Sequence, residues 1–205
     1  MRIDRNPLVT PASPVNVGRS PVRIGADDVT YDLHIAIRVD LERALLRGDL
    51  RAADLPGAFE LGIVAILFHD TGYLKARSDT EGTGAKYTAV HVGRSAAFAG
   101  AFLAPKGFTP AEVRAVQNMI SCTGISTDLK AIDFQSEQER TLGYALATAD
   151  LLGQMAAPDY VEKLPVLYQE FAEAARNAPA GSAHLFAYKS AGELMRNTPT
   201  FWEKY

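Results

Sequence analysis

Leu61-Gly-Ile-Val-Ala-Ile-Leu-Phe-His-Asp-Thr-Gly-Tyr73 is a nearly unbroken apolar run that stops at a His-Asp pair and then a glycine. The run is too short to cross a bilayer, so it reads as the last turns of a helix, Ala58–Phe68, buried on all sides. His69 and Asp70 then stand at the inner end of that helix. Two adjacent polar side chains there lose several kcal/mol of solvation unless something compensates. A divalent metal held by an imidazole nitrogen and a carboxylate oxygen does so. The plainer alternative is a helix end whose His and Asp merely cap and face water.

On the N-terminal side, Leu33, Ile37, Leu41 and Leu45 fall at steps of four between Asp28 and Arg47, which marks one face of an amphipathic helix. His34 lies beside that face and is a candidate ligand, with a satisfied core histidine as the alternative. Residues 48–57, with Pro56, form a connection. Residues 1–26 carry Pro7, Pro11, Pro14 and Pro21, which break any helix there and predict an extended tail. Residues 27–205 then form a single domain.

On the C-terminal side, residues 75–87 are polar, contain glycine and lack periodicity, so they are a loop. Its place beside the His-Asp pair lets Lys75, Arg77 and Lys86 lean toward an anion held at a metal, while Glu81 could take a proton. A helix through His91 to Leu103 follows, rich in small residues that allow close packing. His91 lies in its first turn, where the positive end of the helix dipole favours a neutral, ligating ring. Thr109-Pro110 with Glu112 is a capping box with a proline start, and Val113, Val116 and Ile120 make the core face behind it. Ser136 with Glu139 is a second capping box, opening a helix to about Met155. In that helix Leu142, Leu146 and Asp150 share one side, which puts a carboxylate on an apolar stripe and demands a cation or strong donors opposite it.

Composition narrows the classes. The chain has 205 residues, 47% hydrophobic and 22% charged, which suits one well-buried core. A net charge of −3 offers no footprint for nucleic acid. Cys122 is the single cysteine, so there is no intrachain disulfide framework, and it reads as a small buried residue. With no apolar secretory core near the start and no membrane span, the expected compartment is the cytoplasm.

His34, the His69-Asp70 pair and Asp150, each on or at the end of a helix, resemble the H…HD…D ligand pattern of the HD superfamily of metal-dependent phosphohydrolases. A histidine 35 residues before the pair, the His-Asp-x-Gly-Tyr ending and Ala149-Asp150-Leu151 80 residues after it carry the resemblance. His91 looks like the next histidine of the binuclear, phosphodiesterase members. Where relatives of the cyclic-dinucleotide phosphodiesterases carry a further His-His pair, this chain has Ser121-Cys122. Gln154 sits where a faint likeness to cyclic-nucleotide phosphodiesterases suggests contact with substrate.

The resemblance implies an all-α, HD-domain-like helical bundle and one or two divalent ions per chain (Mn, Fe, Co, Ni, Zn or Mg) held by His34, His69, Asp70, Asp150 and His91. It further implies hydrolysis of a phosphate mono- or diester, of a nucleotide or other small molecule, by metal-activated water. Asp70 orients the water, and Lys75 or Arg77 offsets charge on the phosphoryl oxygens. Lys86 and Gln154 are the substrate-binding candidates. The alternative is a degenerate domain that senses a metal or nucleotide without turnover. The C-terminal aromatic residues, Phe201 and Trp202, either pack across the bundle or serve a homodimer contact.

Overall fold

A computed structural model describes residues 55–204; His34, the helix expected over 28–47 and the expected tail lie outside the described residues. Every regular element among the described residues is helical: α1 (Leu55–Phe68), α2 (His91–Leu103), α3 (Pro110–Ser121), α4 (Glu137–Met155), α5 (Tyr160–Asn177) and α6 (Ala191–Lys204), joined by short 3₁₀ turns. The described residues form an all-α bundle, as expected.

Helices α1 to α4 share one core. Ala65 and Ile66 of α1, Ala99 and Leu103 of α2, Val116, Met119 and Ile120 of α3, and Leu142, Ala145, Leu146 and Ala149 of α4 are all buried together. The small residues of α2 act as expected. Gly100 leaves room for the Gln117 side chain, whose Nε2 donates to the Ala96 carbonyl at 2.9 Å and so seats α3 close on α2. Helix α5 packs on α6 and on the turn Gly84–Tyr87, away from that core. Glu173 of α5 accepts from the Thr83 main-chain N–H at 2.6 Å and from its hydroxyl at 2.7 Å, pinning the loop before that turn.

Local chemistry sets the ends. Thr109 accepts from the Glu112 N–H at 3.3 Å and Glu112 accepts from the Thr109 N–H at 2.7 Å, the reciprocal box predicted for α3. The box expected at Ser136 forms only by half. Ser136 accepts from the Glu139 N–H at 3.1 Å, but the Glu139 carboxylate takes the Gln135 N–H at 2.8 Å and the Asn118 amide at 2.7 Å. The reason is burial: Glu139 is 4% exposed, and a carboxylate there needs donors, which α3 and the loop before α4 supply.

One expectation is corrected. Helix α1 already takes in Leu55–Gly57, read above as part of a connection, and is not buried on all sides, since Leu67 is 67% exposed; among the described residues α3 and α4 pack against it. The last helix spans Ala191–Lys204, after a 3₁₀ turn at Ala183–Phe186. The side chains of Phe201 and Trp202 lie outside what is described. Among the described residues, no helix is long and apolar enough to cross a membrane.

Candidate metal centre

Helix α1 ends at Phe68, and His69 turns its ring back on the helix so that Nδ1 meets the Ile66 carbonyl at 2.6 Å. A carbonyl only accepts, so Nδ1 carries a proton and Nε2 points away from the helix. There it faces Asp70 Oδ2 at 3.7 Å and Asp150 Oδ1 at 3.6 Å. His91, the first residue of α2, repeats the arrangement: Nδ1 meets the Thr88 carbonyl at 2.7 Å, and Nε2 lies 4.0 Å from Asp70 Oδ1. Four of the five sequence-predicted ligands thus converge from three helices.

Several neighbours hold them. Gln154 Nε2 donates to Asp150 Oδ1 at 3.0 Å from one turn further along α4, so this side chain positions a carboxylate. Tyr73 stacks on the His91 ring, centroids 4.2 Å apart and 21° between planes. Gly72 joins the two halves of the site. Its N–H donates to the buried Ser95 hydroxyl at 2.8 Å, its carbonyl accepts from Arg94 Nε at 2.7 Å, and a β-carbon there would stand 1.9 Å from the His91 carbonyl oxygen. Only a glycine lets the turn Thr71–Tyr73 press this closely on the start of α2.

The donor set fits a first-row divalent ion. Two ligand atoms on one ion, each about 2.1 Å from it, stand roughly 3.0–3.4 Å apart at tetrahedral or octahedral angles. The observed separations of 3.6 to 4.0 Å are a few tenths wider. As they stand, no three His, Cys, Asp or Glu side chains among the described residues are gathered tightly enough to hold an ion. Both imidazoles nevertheless have the second nitrogen engaged by a fixed acceptor, the arrangement that orients a ligating histidine.

Electrostatics agree with a cation site. Burial pulls the His69 imidazole down, but the bond to Asp150 and the charges of Asp70 and Asp150 outweigh it and raise it to about 9. The ring is then an imidazolium bridging two carboxylates, a proton standing in the position of a metal. Burial lowers His91, against the pull of the Thr88 carbonyl and the two aspartates, so its ring is neutral.

The loop after Tyr73 is tied to itself. Lys75 Nζ donates to the Glu81 and Gly82 carbonyls at 2.9 and 2.6 Å, and Lys86 Nζ donates to the Glu81 carbonyl at 2.6 Å and to Asp79. Tyr87 also donates to Asp79, and these bonds hold the Asp79 carboxyl down at about 2. The two ammonium groups expected to receive a substrate anion are therefore engaged in loop structure. Arg77 is exposed. Ser121 Oγ and Cys122 Sγ both donate to carbonyls of their own helix, at 2.8 and 3.4 Å, and burial pushes the Cys122 thiol up to about 12.

Arg94 and Ser95 escaped the sequence reading. The Arg94 guanidinium lies 3.6 Å from the centroid of the Tyr87 ring and donates to the Leu74 carbonyl at 2.8 Å as well as to Gly72, clamping the turn after Asp70. Their one signal was a place three and four residues after His91, on the same side of α2.

A family model described as Npun_R2479-like matches residues 59–205. A second, described as carboxypeptidase Taq (M32) metallopeptidase, matches residues 12–76. The chain is also similar to thermostable carboxypeptidase 1 of Thermus thermophilus, 55% identical over 40 residues, which are 20% of this chain and 8% of that protein. It thus spans a small fraction of the relative's length. No solved structure matches.

These matches overturn the HD-superfamily assignment, since they point to a metallopeptidase region rather than to an HD-domain phosphohydrolase. Phosphatase or phosphodiesterase activity, and a phosphate ester or nucleotide as partner, fall with it. They rested on the resemblance, and the lysines meant to read phosphate are engaged in the loop. A hydrolase with a divalent metal is common ground between the sequence reading and the metallopeptidase match.

Proposed function

This chain belongs to the Npun_R2479-like family, and we propose that it is a metal-dependent hydrolase of peptides whose centre is His69, Asp70, His91 and Asp150, completed by His34. One observation carries the reading. Two imidazoles from different helices, each fixed through Nδ1 by a main-chain carbonyl three residues earlier, turn Nε2 toward the same carboxylate, Asp70. That is costly for a bare cluster and natural for ligands. The substrate class is supported by the metallopeptidase match over residues 12–76. These 205 residues contain no His-Glu-x-x-His motif, so residue roles are argued from this site alone.

A bound divalent ion would lower the pKa of a coordinated water toward ~7 and polarise a carbonyl oxygen. The chain's residues prepare for that. His69 and His91 present lone pairs on fixed rings. Asp150 is held by Gln154 and supplies negative charge from within the bundle. Asp70, the more exposed carboxylate with 45% of its side chain accessible, is placed to take a proton from the attacking water and pass it to the leaving amine. Tyr73 and Arg94 hold the turn that carries it.

Elemental mass spectrometry of protein purified without a metal-affinity tag, followed by incubation with a mixed peptide pool and detection of new termini, tests the proposal. About one ion per chain and cleavage lost in Asp70→Asn is the expected result. Failure to take up Mn, Fe, Co, Ni or Zn would overturn it, and uptake without cleavage of any peptide would overturn the hydrolase while leaving the centre.

A further inference from the structure

Arg94 grips the turn Thr71–Tyr73 by two bonds, from Nε to the Gly72 carbonyl at 2.7 Å and from the far end of its guanidinium to the Leu74 carbonyl at 2.8 Å. Both bonds need one orientation of the guanidinium plane. A part-buried arginine has many rotamers, and holding one of them costs entropy unless a neighbour fixes it. The neighbour is Tyr87, whose ring centroid lies 3.6 Å from the guanidinium carbon, so that the cation rests on the ring face.

The loop that carries Tyr87 keeps that ring in place. The Tyr87 hydroxyl donates to Asp79, which Lys86 also grips, and Lys86 in turn donates to the Glu81 carbonyl at 2.6 Å. Glu173 of α5 fixes Thr83, the residue before the turn Gly84–Tyr87. The same loop lies directly against the turn after Asp70: a β-carbon on Gly84 would stand 2.7 Å from the Tyr73 carbonyl oxygen. Lys86 and Asp79 thus shape a seat for one ring rather than a surface for an anion.

We propose that Tyr87 is a positioning residue for the metal centre: its ring face fixes the Arg94 guanidinium, which fixes the turn Thr71–Tyr73 and with it the separation of Asp70 from His91. The proposal rests on the metal-centre reading above. The Ser95 hydroxyl ties the same turn through the buried Gly72 N–H, so losing the grip of Arg94 loosens the turn without releasing it. Removing a group that orients a metal ligand weakens affinity by about ten- to a hundredfold, and Tyr87, which acts through Arg94, belongs at the lower end of that range.

Exchange of single amides, read by NMR on the metal-free full chain, and calorimetric titration with Zn²⁺ or Mn²⁺ test the proposal together. In Tyr87→Leu, which removes the ring, the Gly72 and Leu74 amides should exchange at least roughly tenfold faster and the ion should bind about tenfold more weakly. Tyr87→Phe keeps the ring face and should hold both readouts within about threefold of the unmodified chain. In an Arg94→Gln background Tyr87→Leu should change neither readout further, a non-additivity that a general loosening of the loop would not produce. Unchanged exchange or unchanged affinity in Tyr87→Leu, a loss as large in Tyr87→Phe, or a full additional loss beside Arg94→Gln would each overturn the proposal. If Tyr87→Leu loses amide protection in α3 and α4, Tyr87→Met, which fills more of the space without a ring, repeats the test with the same outcomes. An unmodified chain that takes up neither ion overturns the metal centre and this role of Tyr87 with it, whereas uptake by the unmodified chain keeps the centre whichever way the variants fall.

Discussion

Replacing Gly72 by alanine separates the two halves of the centre without touching a ligand. The backbone at Gly72 is not in the left-handed region, so alanine suffers no conformational penalty and the effect is purely steric. The new methyl would lie 1.9 Å from the His91 carbonyl oxygen, 2.7 Å from its carbon and 2.8 Å from Ser95 Oγ. Ordinary contact requires more than about 3.2 Å, so the turn must retreat from α2 by over 1 Å. Overpacking of this kind costs about 1–3 kcal/mol, and losing the buried Gly72 N–H bond to Ser95 adds about 1 kcal/mol. Thermal unfolding of the variant should fall by roughly 2–4 °C per kcal/mol lost. The centre suffers more than the fold. The Asp70 to His91 separation, 4.0 Å now, would widen toward ~5 Å, beyond the ~4.2 Å that two ligands on opposite sides of one ion can span. Calorimetric titration with Mn²⁺ or Zn²⁺ should show affinity at least about tenfold weaker, equivalent to about 1.4 kcal/mol. Ser95→Gly in the same background removes one clashing atom but not the carbonyl, and should not restore binding. A Gly72→Ala protein with unchanged unfolding temperature and unchanged affinity would refute the argument that this contact locks the site.

Three further outcomes follow from the same geometry. In metal-free protein, His69 is raised from 6.5 to about 9, so its stabilising contribution is complete below pH 6.5 and is lost as pH rises through 9. Denaturant unfolding should show a decline on the order of 3 kcal/mol across that window, absent in His69→Gln; His91, lowered by burial, acts only below pH 6.5 and in the opposite sense. Because the metal displaces that proton, binding near pH 7.5 should release about one proton per ion, read by calorimetry in buffers of different ionisation enthalpy, and equal heats in all buffers would sink the idea. Glu139→Leu leaves the Gln135 N–H and the Asn118 amide without their shared acceptor and should cost about 2–4 kcal/mol in chemical denaturation, against about 1 kcal/mol for the exposed cap variant Thr109→Ala.

The helices of the described core are legible in the sequence, because a helix is written in local spacing. The Thr109-Pro110-Glu112 start, the apolar face at Val116 and Ile120 and the stripe ending in Asp150 need only neighbours three and four residues away. It also identified four side chains that the fold brings together, since a carboxylate or imidazole on an apolar stripe declares that something must face it. What a one-dimensional pattern could not supply was the meaning of that order: the same ligand spacing suggested a phosphohydrolase, whereas matched stretches of chain point to a metallopeptidase region. Which polar groups are engaged elsewhere emerges from the folded arrangement alone. Lys75 and Lys86 are engaged by loop carbonyls and Asp79, Gln154 serves Asp150, and Arg94 clamps the turn at Gly72. Gln154 reaches Asp150 within one helical turn and the lysines stay within their loop, but Arg94 meets Gly72 across 22 residues, where the identity of a partner depends on how the helices pack and not on local spacing.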